Sequence, residues 1–274
     1  MVRMTNKPQT FVTGDYTAAL IQARAALLGH LPKDLILASY QSAGGQEVLS
    51  GKFANPESSA ALAANAFGFF LDSPRLLSLP TPVVAAGSAV NVLLEAQMRF
   101  PWDGGFHPWL DAAIETGETL IGIESKRYEP FRDKKFVSFS DAYSRPVWGK
   151  AMKPFEDMRD ALASGQQRFV FLDAAQLVKH AFGLRTQAVK RGKMATLVYL
   201  YAEPKNYSDG PPVPTSQIAE HRRELTVFAK AVSDTAAEVR FESLCYADLL
   251  GSWKLSPSEA LRNHAGAILE QFDV

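Results

Sequence analysis

The sequence predicts an α/β or α+β sandwich, a central mixed sheet covered by helices. Three observations carry that prediction. The chain has 274 residues, 47% hydrophobic and 21% charged, enough to bury a large core. Apolar residues recur at helical spacing towards both ends, and residues 83–126 hold three β-rich runs in succession. One large domain, or one domain with a modest elaboration, suits this length.

Taken in order, Asp15 can cap a helix whose apolar positions Tyr16, Leu20, Ala23 and Leu27 share a face, with Gly29 where a C-terminal cap belongs. Asn55, Pro56 and Glu57 mark a second helix, Ala-rich as far as Leu71. Residues 83–100, 107–115 and 120–126 read as strands, separated by the turn-rich stretches 101–105 and 116–118. A helix over 152–163, a short strand over 169–172 and a helix over 174–182 closed by Gly183 follow. Residues 196–201 form a strand that Pro204 stops, 218–232 a helix, 239–244 a strand and 257–272 a last helix. Neither an internal repeat nor a clear linker divides the chain.

Several function classes drop out. The longest apolar stretch, residues 60–71, is too short for a bilayer span and contains Asn65. The first eight residues lack the apolar run of a secretory signal. One cysteine, Cys245, excludes an internal disulfide and a thiolate-rich zinc site, so a reducing, cytoplasmic setting is expected. Gly51 and Lys52 do not end a phosphate loop, because Gln46 stands where that loop needs glycine and Phe53 where it needs a hydroxyl. There is no Gly-x-Ser-x-Gly elbow, no His-Glu-x-x-His helix and no Gly-x-Gly-x-x-Gly turn. His30, His107, His180, His221 and His264 lack metal-ligand spacing.

Charge is balanced at 29 Lys and Arg against 29 Asp and Glu, but unevenly placed. Residues 126–193 carry 15 Lys and Arg against 7 Asp and Glu, a net +8, leaving −8 elsewhere. Such a basic third suits a phosphate-binding face and equally a set of solvated helix faces.

The chemistry concentrates in residues 106–131. Alternate strand residues share a face, so Glu124 and Lys126 project together while Ile121 and Ile123 point to the core. The tight connection at Gly117 folds the strand bearing Asp111 back alongside, bringing a second carboxylate to that face. Two carboxylates can hold Mg²⁺, a hard cation that prefers oxygen ligands. Composition alone predicts about 1.5 Asp/Glu-x-Lys tripeptides, and the chain has three, at Glu124, Asp133 and Glu203. Only the one at Glu124 lies on an apolar-backed strand with an Asp-bearing neighbour. The competing reading is a surface hairpin with charges paired across strands.

This arrangement resembles the PD-(D/E)XK nuclease superfamily, whose restriction-endonuclease-like fold places a helix before a strand meander bearing Asp and then Glu-x-Lys. Residues 100–111, 124–131 and 172–180 look like a bacterial branch of that superfamily, and the resemblance covers roughly 55–200. It implies a single domain over 1–274 with a nuclease core at about 55–203, an N-terminal helical elaboration over 1–54 and another over 204–274. Leu110 precedes Asp111 where the superfamily name has Pro, and the nearest Pro is Pro108. By resemblance, Asp111 and Glu124 become metal ligands, the Ser125 carbonyl a third, and Lys126 the group that orients water or stabilises phosphate charge. Glu95 resembles the extra acid that members place beside the metal, and reads equally as an exposed strand carboxylate. Gln176, Lys179 and His180 resemble polar residues set against substrate on the following helix, or belong to a capped surface helix.

The resulting expectation is a Mg²⁺-dependent nuclease acting on DNA, with Mn²⁺ as substitute and a homodimer as the assembly suited to cutting both strands. One alternative is a nucleic-acid-binding or assembly protein that keeps the fold without catalysis. Another is a metal-free hydrolase using Asp111 and Glu124 as an acid/base pair on a sugar, for which Lys126 is an awkward neighbour.

Overall fold

A computed structural model describes residues 13–44, 46–81, 83, 87–234 and 238–274. Five strands form one sheet in the order β1 (Asn91–Gln97), β2 (Trp109–Glu115), β3 (Thr119–Lys126), β4 (Met194–Tyr201) and β5 (Val239–Cys245). The first three run antiparallel, as short turns allow, and β3, β4 and β5 run parallel. Parallel pairing needs crossovers, which helices supply.

One face is covered by α1 (Thr13–Ala25), α2 (Lys33–Ser42), α3 (Ser59–Gly68), α8 (Tyr246–Lys254) and α9 (Glu259–Gln271). The other carries α5 (Lys153–Ala163), α6 (Ala174–Lys190) and α7 (Thr215–Val232), and a single turn, α4 (Glu129–Arg132), follows β3. Ile121 and Ile123 enter the first core and Leu120 the second, so both faces of β3 are buried. The α/β architecture with a central mixed sheet is therefore as predicted.

Helix boundaries differ from the sequence prediction where a side chain found another partner. Helix α1 opens at Thr13 rather than Asp15 and ends at Ala25, short of Gly29. Asn55 does not cap α3: its side chain accepts from Glu57 N at 2.8 Å, and Ser58 caps the helix by accepting from Ala61 N. Every residue of α3 is buried, and the polar one, Asn65, is satisfied by Leu28 N, Ala26 O and Ala61 O. Helices α2 and α8 went unpredicted. Residues 169–172 form no strand; the amides of Val170, Phe171 and Leu172 donate instead to the buried carboxylate of Glu224, at 2.6 to 2.9 Å. That clamp fixes the entry into α6, whose first turn Asp173 caps. Helix α6 then runs through Gly183, where a bare backbone lets it lie against Met98. No helix among the described residues is long and apolar enough to cross a membrane.

Candidate active site

The site lies where β2 and β3 part. Their ladder ends at the pair Ala112 and Ile123, one residue short of Asp111 and Glu124. In place of the next rung, Ser125 N donates to Asp111 Oδ2 at 2.7 Å. Glu124 is 2% exposed and faces α6, while the Ser125 hydroxyl, one residue on, meets Tyr246 Oη at 2.7 Å on the opposite face. Lys126 returns to the Glu124 side, with Nζ 2.5 Å from Glu124 Oε1. His180 Nδ1 stands 3.0 Å from the other oxygen, Oε2.

Strand β1 supplies Glu95. Leu94 pairs with Ala112 and Ala96 with Leu110, which sets Glu95 level with Asp111. Glu95 has φ 49°, in the left-handed region that costs a non-glycine residue roughly 1–2 kcal/mol. The kink changes the strand's facing: Leu94 packs into the first core and Ala96 into the second. Glu95 is thereby aimed into the cleft.

That cleft, of about 490 Å³, is lined by Glu95, Asp111, Glu124, Lys126 and Gln176 together with Glu47, Lys52 and Glu129. His180 is buried behind Glu124 rather than lining it. Lys179 does not join them, because its ammonium lies over the rings of Phe139 and Tyr143, 5.4 and 5.8 Å from their centroids. Glu47 and Glu129 are site residues the sequence reading missed. Glu129 had a local signal, an acid in the turn after the Glu-x-Lys strand, where it accepts from Arg127 N at 2.9 Å and from the Ser59 hydroxyl. Glu47 had none, since only the packing of α2 and α3 on the sheet brings it there.

A family model described as restriction endonuclease associating with ARP matches residues 31–267. The chain belongs to that family. No curated protein and no solved structure matches it. The parallel and antiparallel halves of the sheet, with helices on both faces, are those of a restriction endonuclease-like fold.

In this restriction endonuclease family member the electrostatics of the cleft are unbalanced. Burial, reinforced by Glu47 and Glu124, raises the Glu95 carboxyl to about 7. Burial likewise pushes Asp111 well above the usual carboxylate range; Glu124 adds to this and Lys126 opposes it. Burial alone would raise Glu124 too, but Lys126 and His180 hold it down at about 2. Lys126 is held well above the usual lysine range by Glu124, Glu129 and Asp111, although burial works against its charge.

Burial and Glu124 thus hold two further acids towards their protonated forms beside an ionised Glu124, and a bound cation would favour their charged forms. Among the described residues no three His, Cys, Asp or Glu side chains form a metal cage. Asp111 and Glu124 make a two-carboxylate set, which is what Mg²⁺ takes when waters complete its shell. The donors present fit that ion.

Proposed function

We propose that this restriction endonuclease family member hydrolyses phosphodiester bonds in DNA with Mg²⁺ or Mn²⁺. The observation that supports it best is the convergence of Asp111, Glu124 and Lys126 in one cleft, at the parting of β2 and β3.

Asp111, Glu124 and the carbonyl of Ser125 would hold the ion, with Glu95 beside them in the cleft. When bound, it supplies a Lewis acid for the phosphate and lowers the pKa of a coordinated water. Lys126 keeps its proton at neutral pH, so it acts as a fixed positive charge against the phosphate rather than as a base. Glu124 stays ionised across the working range and remains available as a ligand. His180 touches neither substrate nor water in this scheme and positions Glu124 from behind. Gln176, in the first turn of α6, lines the cleft opposite β3 and reaches the substrate side. The family's description adds association with ARP, which we propose for this chain as well.

Nicking of supercoiled plasmid in Mg²⁺ or Mn²⁺ tests the assignment. Asp111→Ala and Lys126→Ala should each lower the rate by about 10²- to 10³-fold, and a chelator should abolish it. Wild-type rates in both variants would overturn it. Salt-dependent DNA binding without cleavage in either metal would make the chain a binding protein that keeps the fold.

A further inference from the structure

The cleft does not end at Lys126. A second cavity of about 140 Å³ opens from it, and the two share Lys126, Glu129, Asp133 and Gln176 in their walls. At Lys135 the second cavity meets a third, a groove of about 710 Å³ running past Phe139, Arg168 and Phe169. Through these shared residues the three follow one another from the site to Arg168.

Charge changes sign along this path. Acids dominate the cleft itself, and its large cation, Arg132, is tied up by Glu57 and Asp209, each at 2.8 Å. Beyond Lys126 the second cavity sets Lys134 and Lys135 against Glu129, Asp133 and Asp173, and the groove beyond carries Lys135 and Arg168 with no acid in its walls. Lys134 and Arg168 are exposed, and among the described residues neither has an ion-pair partner. Unpaired cations in a groove attract a polyanion because binding releases its counterions. Phe171 lines the second cavity and Phe169 the groove, beside Phe139, whose ring already carries the Lys179 ammonium. Cations alternating with rings are what a single nucleic-acid strand uses, its phosphates on the charges and its bases on the ring faces.

The rings decide between one strand and two: stacking on Phe169 and Phe171 needs unpaired bases, and a duplex keeps its base faces stacked on one another.

We propose that the path from Lys126 over Lys134 and Lys135 to Arg168 binds a single nucleic-acid strand continuing from the scissile bond. This deepens, and rests on, the nuclease reading: the substrate is then one with a single-stranded segment on one side of the cut, not a blunt continuous duplex.

The test is equilibrium binding by fluorescence anisotropy in chelator, using a labelled oligothymidylate of about 16 nucleotides and a blunt duplex of equal length. The full chain should bind the single strand at least about tenfold tighter than the duplex. The double variant Lys134→Glu, Arg168→Glu should weaken single-strand binding by at least about tenfold and make the salt slope shallower by about 1.4, two contacts at 0.7 each. Lys150→Glu, an exposed cation of the same basic segment outside the path, should change neither. Equal affinity for both probes, or indifference to the double reversal, overturns the proposal. Cleavage in Mg²⁺ or Mn²⁺ of a labelled duplex carrying a single-stranded extension, measured alongside with the unaltered protein, separates the two readings. Cleavage combined with indifference leaves the nuclease and removes the groove. Sensitive single-strand binding without cleavage leaves the groove and removes the nuclease, and failure to bind either probe or to cleave removes both.

Discussion

His180 Nδ1 meets Glu124 Oε2 at 3.0 Å, and it does so from α6, across the core from the strand that carries Glu124. Both residues are almost fully buried, so the carboxylate lies between Lys126, which donates to Oε1, and the imidazole edge of His180. His180→Ala should leave Glu124 ionised through Lys126 but loose. The nicking rate should fall about 10- to 100-fold, with a raised Mg²⁺ requirement, the size expected for a residue supporting a ligand. His180→Asn, which restores a donor, should recover part of the loss. Unchanged metal dependence in the Ala variant would make His180 a packing residue.

The approach of α6 to the sheet depends on Gly183. A Cβ there would lie 2.6 Å from the carbonyl oxygen of Met98 and 2.8 Å from its Cβ, and backbone cannot swing aside as a side-chain tip can. Gly183→Ala should therefore lift the helix that carries Gln176 and His180. We expect a stability loss of about 2–4 kcal/mol by urea titration, despite alanine's better helix propensity. A variant as stable as the wild type would show that α6 shifts freely.

The same glycine shows where sequence reasoning stops. It was expected to close the helix because glycine commonly follows one, yet here it serves a close approach, and that distinction depends on a partner, Met98, far away in sequence. The three strands of the meander were legible, because period-2 patterning and turn residues are local signals, and the sharing of one face by Glu124 and Lys126 followed from them. The strand expected at 169–172 failed for the opposite reason: a short apolar run is ambiguous, and Glu224, more than fifty residues away, took its amides. Within the cleft, Asp111, Glu124 and Lys126 could be named from the chain. Glu47 and the turned-away Lys179 could not, since each is placed by packing between elements.

Glu95 makes stability depend on pH. Its carboxyl titrates at about 7 in the folded chain, against 4.5 for an ordinary glutamate. Between those values the folded state holds a proton the unfolded state has lost, so stability falls as pH rises. Allowing for its partial exposure, the group should remove on the order of 2 kcal/mol between about pH 5 and 8 in metal-free protein. Glu95→Gln should flatten that limb of the urea-midpoint profile. Added Mg²⁺ should flatten it in the wild type, because an ion beside the carboxylates favours their charged forms. Superimposable profiles for variant and wild type would refute the assignment.

The acid side belongs to His264, which is 1% exposed between α9 and α3. Its Nε2 lies 3.2 Å from the carbonyl oxygen of Ala66, which can only accept, so the proton sits on Nε2. Nδ1 then accepts from His30 Nε2 at 2.9 Å, and both rings are neutral. Burial lowers His264 from 6.5 to about 4, and the neighbouring His30 pushes the same way. Charging His264 would place a second N–H against that of His30, in the stack formed with Phe69 and Trp253. Below 6.5 the unfolded chain takes up a proton that the folded chain refuses, so this stability is present above 6.5 and drains away as pH falls towards 4. The loss between about pH 7 and 5 should reach about 2 kcal/mol. His264→Phe should be less stable at neutral pH by about 1–3 kcal/mol, since His30 and Ala66 lose their partner, but should show a shallower decline in acid. Should the variant decline as steeply as the wild type in urea titrations at both pH values, the acid sensitivity must come from another group.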